Sequence, residues 1–355
     1  MRKRYLQGKK ILNSDLTVSH LFYADNALFM GDWSQENIKN LAGILRCFHV
    51  SSGLKVNFKK SQVFGIGVDS QEVLSLARPL GCEPANLPFT YLGVPVGANM
   101  KLKKYWKPVI ENFQLRLSAW KSKNLSLGGR LTLTKSVIGS LPTFYFSLFI
   151  APAGILKALE KIRRRFLWGG SEDSRKINWV SWGKVTTPKE NGGLGLGSLK
   201  ALNLSLIMKW WWRLRVENTC LWSKVIEGIH NLKNKPGDYM SKQSITGVWK
   251  NITQARGELM KVGINIEDVI LKEVGTGEKT MFWHDRWTGN MTLKASFPEM
   301  YKLERHKHCM VNERIRPGGL VWNWKASITS PEQIREAELL LNRVSNIQLG
   351  TRNDK

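Results

Sequence analysis

The 355-residue chain is 42% hydrophobic and carries 54 Lys and Arg against 28 Asp and Glu, a net charge of +26. That composition fills ordinary buried cores and excludes a disordered chain, while the charge suits a polyanion such as nucleic acid better than a small neutral ligand. Four widely separated cysteines with no CxxC pair exclude a disulfide framework and indicate reduced thiols in an intracellular setting. The most apolar run, Leu141 to Pro152, is too short for a bilayer, and the basic MRKRYLQGKK leads into no secretory-type apolar run.

In chain order, Val18–Ala24 and Ala27–Met30 read as two short strands joined by Asp25-Asn26, a pair that tolerates the backbone of a tight hairpin turn. Ser34 then caps a helix with Ile38, Leu41, Ala42, Leu45 and Phe48 at helical spacing, and Gly53 ends it. Leu54–Phe58 and Gln62–Ile66 read as strands around a Lys59-Lys60 corner, Ser70–Leu80 as a helix, and Tyr91–Gly97 as a short strand or hairpin at an edge. Strands interleaved with helices suit an α+β fold with an antiparallel sheet.

Beyond residue 100 the pattern turns helical. Trp106, Val109, Ile110, Phe113, Leu117 and Trp120 mark one face of a long helix. Gly128-Gly129 breaks the chain before a second helix through Arg130–Ile138. Ile155, Leu156, Leu159, Ile162 and Phe166 define a third, which carries Arg163, Arg164 and Arg165. The glycine run of residues 191–197 fits neither phosphate-loop template and reads as a turn before a helix ending in Lys209-Trp210-Trp211-Trp212-Arg213. Three consecutive tryptophans cannot share one helical face, so part of the cluster is core. From Val216 onward the signals are mixed, and Pro331–Leu341 is a helix with no partner evident in the sequence.

Charge divides the chain into residues 1–98, 99–215 and 216–355. The middle part holds 22 basic and 5 acidic residues, +17 of the total. Such an excess repels itself, a cost that a bound polyanion offsets.

The stretches SHLFYADNALF, CFHVSSGLKVNFKKS, LGCEPANLPFTYLGVPVG, LSLGGRLTLTKSVIGSLPTFYFSLF, FLWGG, NWVSWGKVTTPKENGGLGLGSL and MFWHDRW lie in one order over roughly residues 19–300. Together they resemble the reverse transcriptase of plant non-LTR (LINE-type) retrotransposons. The resemblance implies part of a right-hand polymerase. Residues 1–98 would be a palm remnant, residues 99–215 a basic helical thumb, and residues 216–355 a small mixed region preceding a zinc-binding segment. It implies Asp25 as a Mg²⁺ ligand, Asn26 as a degenerate second ligand and Lys60 as the palm lysine. By the same resemblance Tyr91 and Gly93 would fall in a primer grip. The basic set Lys121, Lys123, Arg130, Lys135, Arg163, Arg164 and Arg165 would contact RNA or an RNA–DNA hybrid.

Nucleotidyl transfer needs two Mg²⁺ ions held by carboxylates and phosphates. Asn26 lacks the charge of the family's second Asp, and the third carboxylate has no counterpart, Asp15 lying in a loop signature. The expectation is therefore a polymerase by ancestry without activity. Its alternatives are a non-catalytic binder of RNA or RNA–DNA hybrid, or the product of a decayed element. His306-Lys307-His308-Cys309 lacks the second ligand pair of a zinc site, and Trp283-His284-Asp285 forms no triad with a nucleophile and reads as packing.

Overall fold

A computed structural model describes residues 6–118, 123–170, 176–217, 219–231, 247–269, 271–316 and 318–354. Contacts divide the chain into two units: Met1–Ile207 with Thr219–Ile229, and Met208–Asn218 with His230–Lys355.

Unit 1 begins with small antiparallel pairs, β1 (Lys9–Lys10) with β2 (Thr17–Val18), and β3 (His20–Tyr23) with β4 (Asn26–Phe29). In the second pair Tyr23 sits opposite Asn26, so the two-residue loop is Ala24-Asp25 and not Asp25-Asn26. Ala24 takes the positive φ of 50°, and Asn26 is spent in the ladder. Helix α1 (Gln35–Ser52) starts and stops where its caps dictate. The Ser34 hydroxyl accepts from Asn37 N–H, and Gly53 closes the helix at φ 72°. Buried Asn37 ties the start of α1 to Gln7 through bonds of 2.8 and 2.9 Å.

The expected strand Leu54–Phe58 is absent. Residues Phe58–Lys60 form a single 3₁₀ turn, because Asn57 caps it by accepting from Lys60 N–H. Only Gln62–Val63 (β5) is extended, and it pairs parallel with Glu83–Pro84 (β6) after helix α2 (Ser70–Ala77). Strands β7 (Phe89–Tyr91) and β8 (Val94–Val96) make a hairpin whose loop residues Leu92 and Gly93 both have positive φ, the requirement of a type I′ turn. Among the described residues the strands form only two-stranded sheets, so the fold is mixed helix and strand without the broad antiparallel sheet that the sequence suggested.

The main core of unit 1 lies in the helices that follow: α3 (Lys107–Arg116), α4 (Leu127–Ser140), α5 (Thr143–Leu148) and α6 (Ala153–Leu167). Trp106, Val109, Phe113 and Leu117 are buried against Phe146, Ile155, Leu159 and Phe166. Helix α3 ends at Arg116 with Leu117 as its cap, shorter than the apolar spacing suggested, and Trp120 lies outside the described residues. Gly128 and Gly129 do not break the chain. They form the first turn of α4, where the Ser126 hydroxyl accepts from Gly129 N–H.

Short helix α7 (Trp182–Thr186) and the glycine run then lead into α8 (Leu199–Val216), inside which the two units divide. The amides of Gly193, Leu194 and Gly195 donate to the carbonyls of Pro188, Val185 and Thr187, so the run is a turn with these three N–H groups spent. A Cβ on Gly193 would lie 2.1 Å from the Thr187 oxygen and 2.7 Å from the Lys184 oxygen. Gly193→Ala is expected to cost at least about 1–3 kcal/mol, the range of overpacking. Chemical denaturation checks it, and an unchanged midpoint would contradict this packing. Helix α9 (Leu221–His230) completes unit 1 through Ile229.

Unit 2 is built on a second core, with Phe282, Trp283, Leu293, Phe297, Met300, Cys309, Val311, Leu340 and Val344 buried. Its helices include α10 (Val248–Met260), α11 (Ile266–Val269), α12 (Leu293–Ser296), α13 (Pro298–Leu303), α14 (Val311–Arg314) and α15 (Pro331–Val344), with a strand pair β9 (Ile315–Arg316) and β10 (Gly319–Leu320). Helix α15, partnerless in the sequence, packs on α13. Of the three adjacent tryptophans, Trp211 is buried and donates to the Ile252 carbonyl at 3.2 Å, while Trp212 is half exposed.

Acid should weaken unit 2. Burial holds the His284 imidazole below its ordinary value, and nearby Lys294 and His308 push the same way against Asp285 and a hydrogen bond with the Lys307 backbone. Asp354 is also lowered: burial opposes this, but donors at Gly275, Gly277, Lys279 and Thr280 together outweigh it. Both groups bind protons more readily unfolded than folded, so stability is present above the ordinary values of 6.5 and 3.8 and is lost as pH falls through them. Urea midpoints should drop from pH 7.5 to 5.5 and again below 4. A flat profile would rule this out.

Candidate nucleic-acid interface

Helix α6 has two faces set by its sequence. Ile155, Leu159 and Phe166 are buried in the core, while Lys157, Lys161 and Arg164, at i, i+4 and i+7, form a basic stripe. Among the described residues none of these three cations is ion-paired. The stripe borders a cleft of about 540 Å³ lined by Ala153, Leu156, Lys157, Glu160, Lys161, Arg164, Trp182, Ser198 and Lys200.

One carboxylate organises the cleft wall. Glu160 Oε2 accepts from Arg163 Nη1 at 2.7 Å and from Trp182 Nε1 at 2.9 Å, and Oε1 accepts from Leu199 N–H at 2.9 Å. The Arg163 guanidinium also lies 5.5 Å from the Trp182 ring and donates to the Gly197 carbonyl at 3.2 Å. Burial lowers the Arg163 pKa against the opposing pull of Glu160. Glu160 thereby fixes α6, the start of α7 and the start of α8 together. Its charge is offset locally, which leaves the cleft rim cationic.

This corrects one expected contact residue. Arg163 is fully buried and cannot reach a phosphate, because i+3 from Glu160 turns it inward under Trp182. Its neighbour Arg164 lines the cleft, and half-buried Arg165 does not. Half-buried Lys135 brings its ammonium to within 3.8 Å of where a Gly195 side chain would begin, and half-buried Arg130 packs against Gly169. Lys123 is exposed before α4, and Lys121 lies outside the described residues. The sequence reading missed Lys157, Lys161, Trp182 and Lys200. The first two were legible with Arg164 as one helical stripe.

Among the described residues no hydrogen bond or ion pair joins the Lys60 side chain to Asp25 or Asn26. Asp25 is exposed on the β3–β4 loop, where its Oδ1 accepts from Asn26 Nδ2 at 3.3 Å. Lys60 is exposed in the 3₁₀ turn. Tyr91 is half buried at the end of β7, and the Gly93 carbonyl accepts from Tyr145 OH at 3.0 Å, which pins the hairpin to α5. No group of three or more His, Cys, Asp or Glu side chains suited to a metal comes together among the described residues. Asp25 with Asn26 does not fit the donor set that Mg²⁺ requires, so no chemical step is assigned to it.

In unit 2, His284 and His308 stack at 5.0 Å, and Tyr301 OH bonds His284 Nε2 at 3.2 Å. The neighbouring Cys309 thiol is buried and pushed up to about 12, first by burial, so with no metal bound it is protonated at neutral pH. No described helix is long and apolar enough to cross a membrane.

Two Arabidopsis thaliana proteins are similar to this chain. An uncharacterized mitochondrial protein is 30% identical over 153 residues, covering 42% of this chain and 92% of that protein. The chain belongs to its family. A protein named "Putative ribonuclease H protein" is 35% identical over 191 residues, 52% of this chain, but the match spans only 29% of that longer relative. No family model matches. The relatives overturn the resemblance read from the sequence stretches: they carry a ribonuclease H name and an uncharacterized mitochondrial name, not that of a reverse transcriptase. Ribonuclease H action is a different activity, and the polymerase assignment is withdrawn.

Proposed function

We propose that this chain is a non-catalytic nucleic-acid-binding protein whose basic helical segment, residues 99–215, holds RNA or an RNA–DNA hybrid by its phosphates. The observation that carries the reading is the Lys157–Lys161–Arg164 stripe beside Lys200 on the rim of the α6–α8 cleft. Three of its cations lack an acidic partner among the described residues. The relative bearing a ribonuclease name supports an RNA-containing partner.

Binding through phosphates releases counterions, so affinity should fall steeply with salt. Three to four phosphate contacts give a slope of about −2 to −4 in a plot of log K against log salt concentration. Lys157→Ala and Lys161→Ala should each reduce that slope by about one. A slope near zero, or no binding at low salt, would overturn the proposal.

A second reading, a decayed-element product with no retained role, is favoured by one observation: Phe22 and Tyr23 on β3 are more than 60% exposed, and Phe48 on α1 is nearly half exposed. Rapid proteolysis of residues 6–60 together with absent binding would favour it.

A further inference from the structure

The cleft is more than a patch of charge, because an indole forms part of its lining. Trp182 is fixed there at its N–H by Glu160, over one face of its ring by the buried Arg163 guanidinium, and by packing, half buried, on Leu167, Val185 and Leu196. A held aromatic surface next to cations suits a base with its phosphates, and stacking of this kind is available only to bases that are not already stacked in a duplex. The backbone offers little competing recognition. Leu199 N–H is taken by Glu160, and the amides of Lys200 and Ala201 are taken by the Ser198 hydroxyl. Lys157, Lys161, Arg164 and Lys200 are then the groups that meet phosphate. At about 540 Å³ the cleft falls within the size range of small-molecule pockets, room for a single nucleotide.

From this geometry we propose that the α6–α8 cleft takes one unpaired nucleotide of a single strand, with its base on Trp182 and its phosphates on Lys157, Lys161, Arg164 and Lys200. This rests on the reading of the basic segment as a nucleic-acid binder and adds single-strand selectivity at a defined place.

The test uses the full chain at low salt, with a short oligouridylate as single strand and a blunt RNA duplex as comparison. Trp182→Ala should weaken single-strand binding about 5- to 150-fold and leave duplex binding within about twofold. Trp182→Phe should restore most of the loss. Equal losses on both nucleic acids, or none on either, would overturn the inference while leaving phosphate binding intact. Failure of the unaltered chain to bind either one would instead remove the functional reading beneath it. Uridine 5′-monophosphate should displace the strand only at millimolar concentration, and displacement at micromolar concentration would make this a free-nucleotide site and overturn the strand proposal. Because Trp182→Ala could disturb folding, the unaltered chain is also crosslinked to oligouridylate carrying 4-thiouridine. The expected adduct lies on the peptide containing Trp182, and an adduct confined to other peptides would refute the placement.

Discussion

Glu160→Ala is expected to destabilise unit 1 by about 3–5 kcal/mol, the cost of leaving one partner of a buried ion pair uncompensated. Arg163 has no exposed side-chain surface and sits 2.7 Å from Glu160, whose own side chain is one-fifth exposed. The same carboxylate accepts from Trp182 Nε1 and Leu199 N–H, so the change orphans three donors in one step. For a unit of this size the loss corresponds to a drop in Tm of roughly 6–20 °C. Thermal unfolding followed by circular dichroism measures it. Glu160→Ala with Arg163→Met should recover a large part of the loss, since a buried pair replaced on both sides by apolar groups is often near neutral. A drop below about 2 °C, or no recovery in the double variant, would mean that the pair does not organise this corner.

An effect of similar size is expected in unit 2 from Glu304→Ala. Glu304 is fully buried and takes a two-pronged ion pair from Arg314, Nη2 to Oε1 at 2.8 Å and Nε to Oε2 at 3.1 Å. It also accepts from Trp283 Nε1 at 3.3 Å and His306 N–H at 2.9 Å. Removing it strands the Arg314 guanidinium beside the indole at the centre of this core, again about 3–5 kcal/mol. Glu304→Gln keeps the shape and an acceptor but loses the charge, and should fall between. Tryptophan fluorescence reports the transition directly, because Trp283, Trp287, Trp322 and Trp324 all pack in or against this core. Wild-type stability in Glu304→Ala would refute the assigned role.

The acid sensitivity of unit 2 and the Gly193 clash test other parts of the same framework. They are independent of the nucleic-acid reading and would stand if that reading failed.

Elements whose signals are local were legible in the sequence. The α1 caps at Ser34 and Gly53, the apolar face of α6 and the turn character of residues 191–197 follow from side-chain chemistry within a few residues. Capping and helical spacing need no distant partner. The hairpin at residues 20–29 was found but its loop was placed one residue late, because ladder register depends on which residues pair across and not on turn preference alone. Leu54–Phe58 looked like a strand by composition, yet Asn57 supplies a cap that the pattern did not weigh.

By itself the sequence determined the mixed helix-and-strand character, the concentration of +17 in residues 99–215 and the two faces of α6, all of which depend on composition and short spacing. Only the tertiary structure decided which cations face solvent. Three adjacent arginines look alike in sequence, but the glycine run, at Leu196 33 positions after Arg163, lies back over the helix, as does Trp182. One arginine is buried under them and Arg164 is left on the cleft rim. Burial is set by what folds back on a residue, and that is long-range information that no local pattern carries.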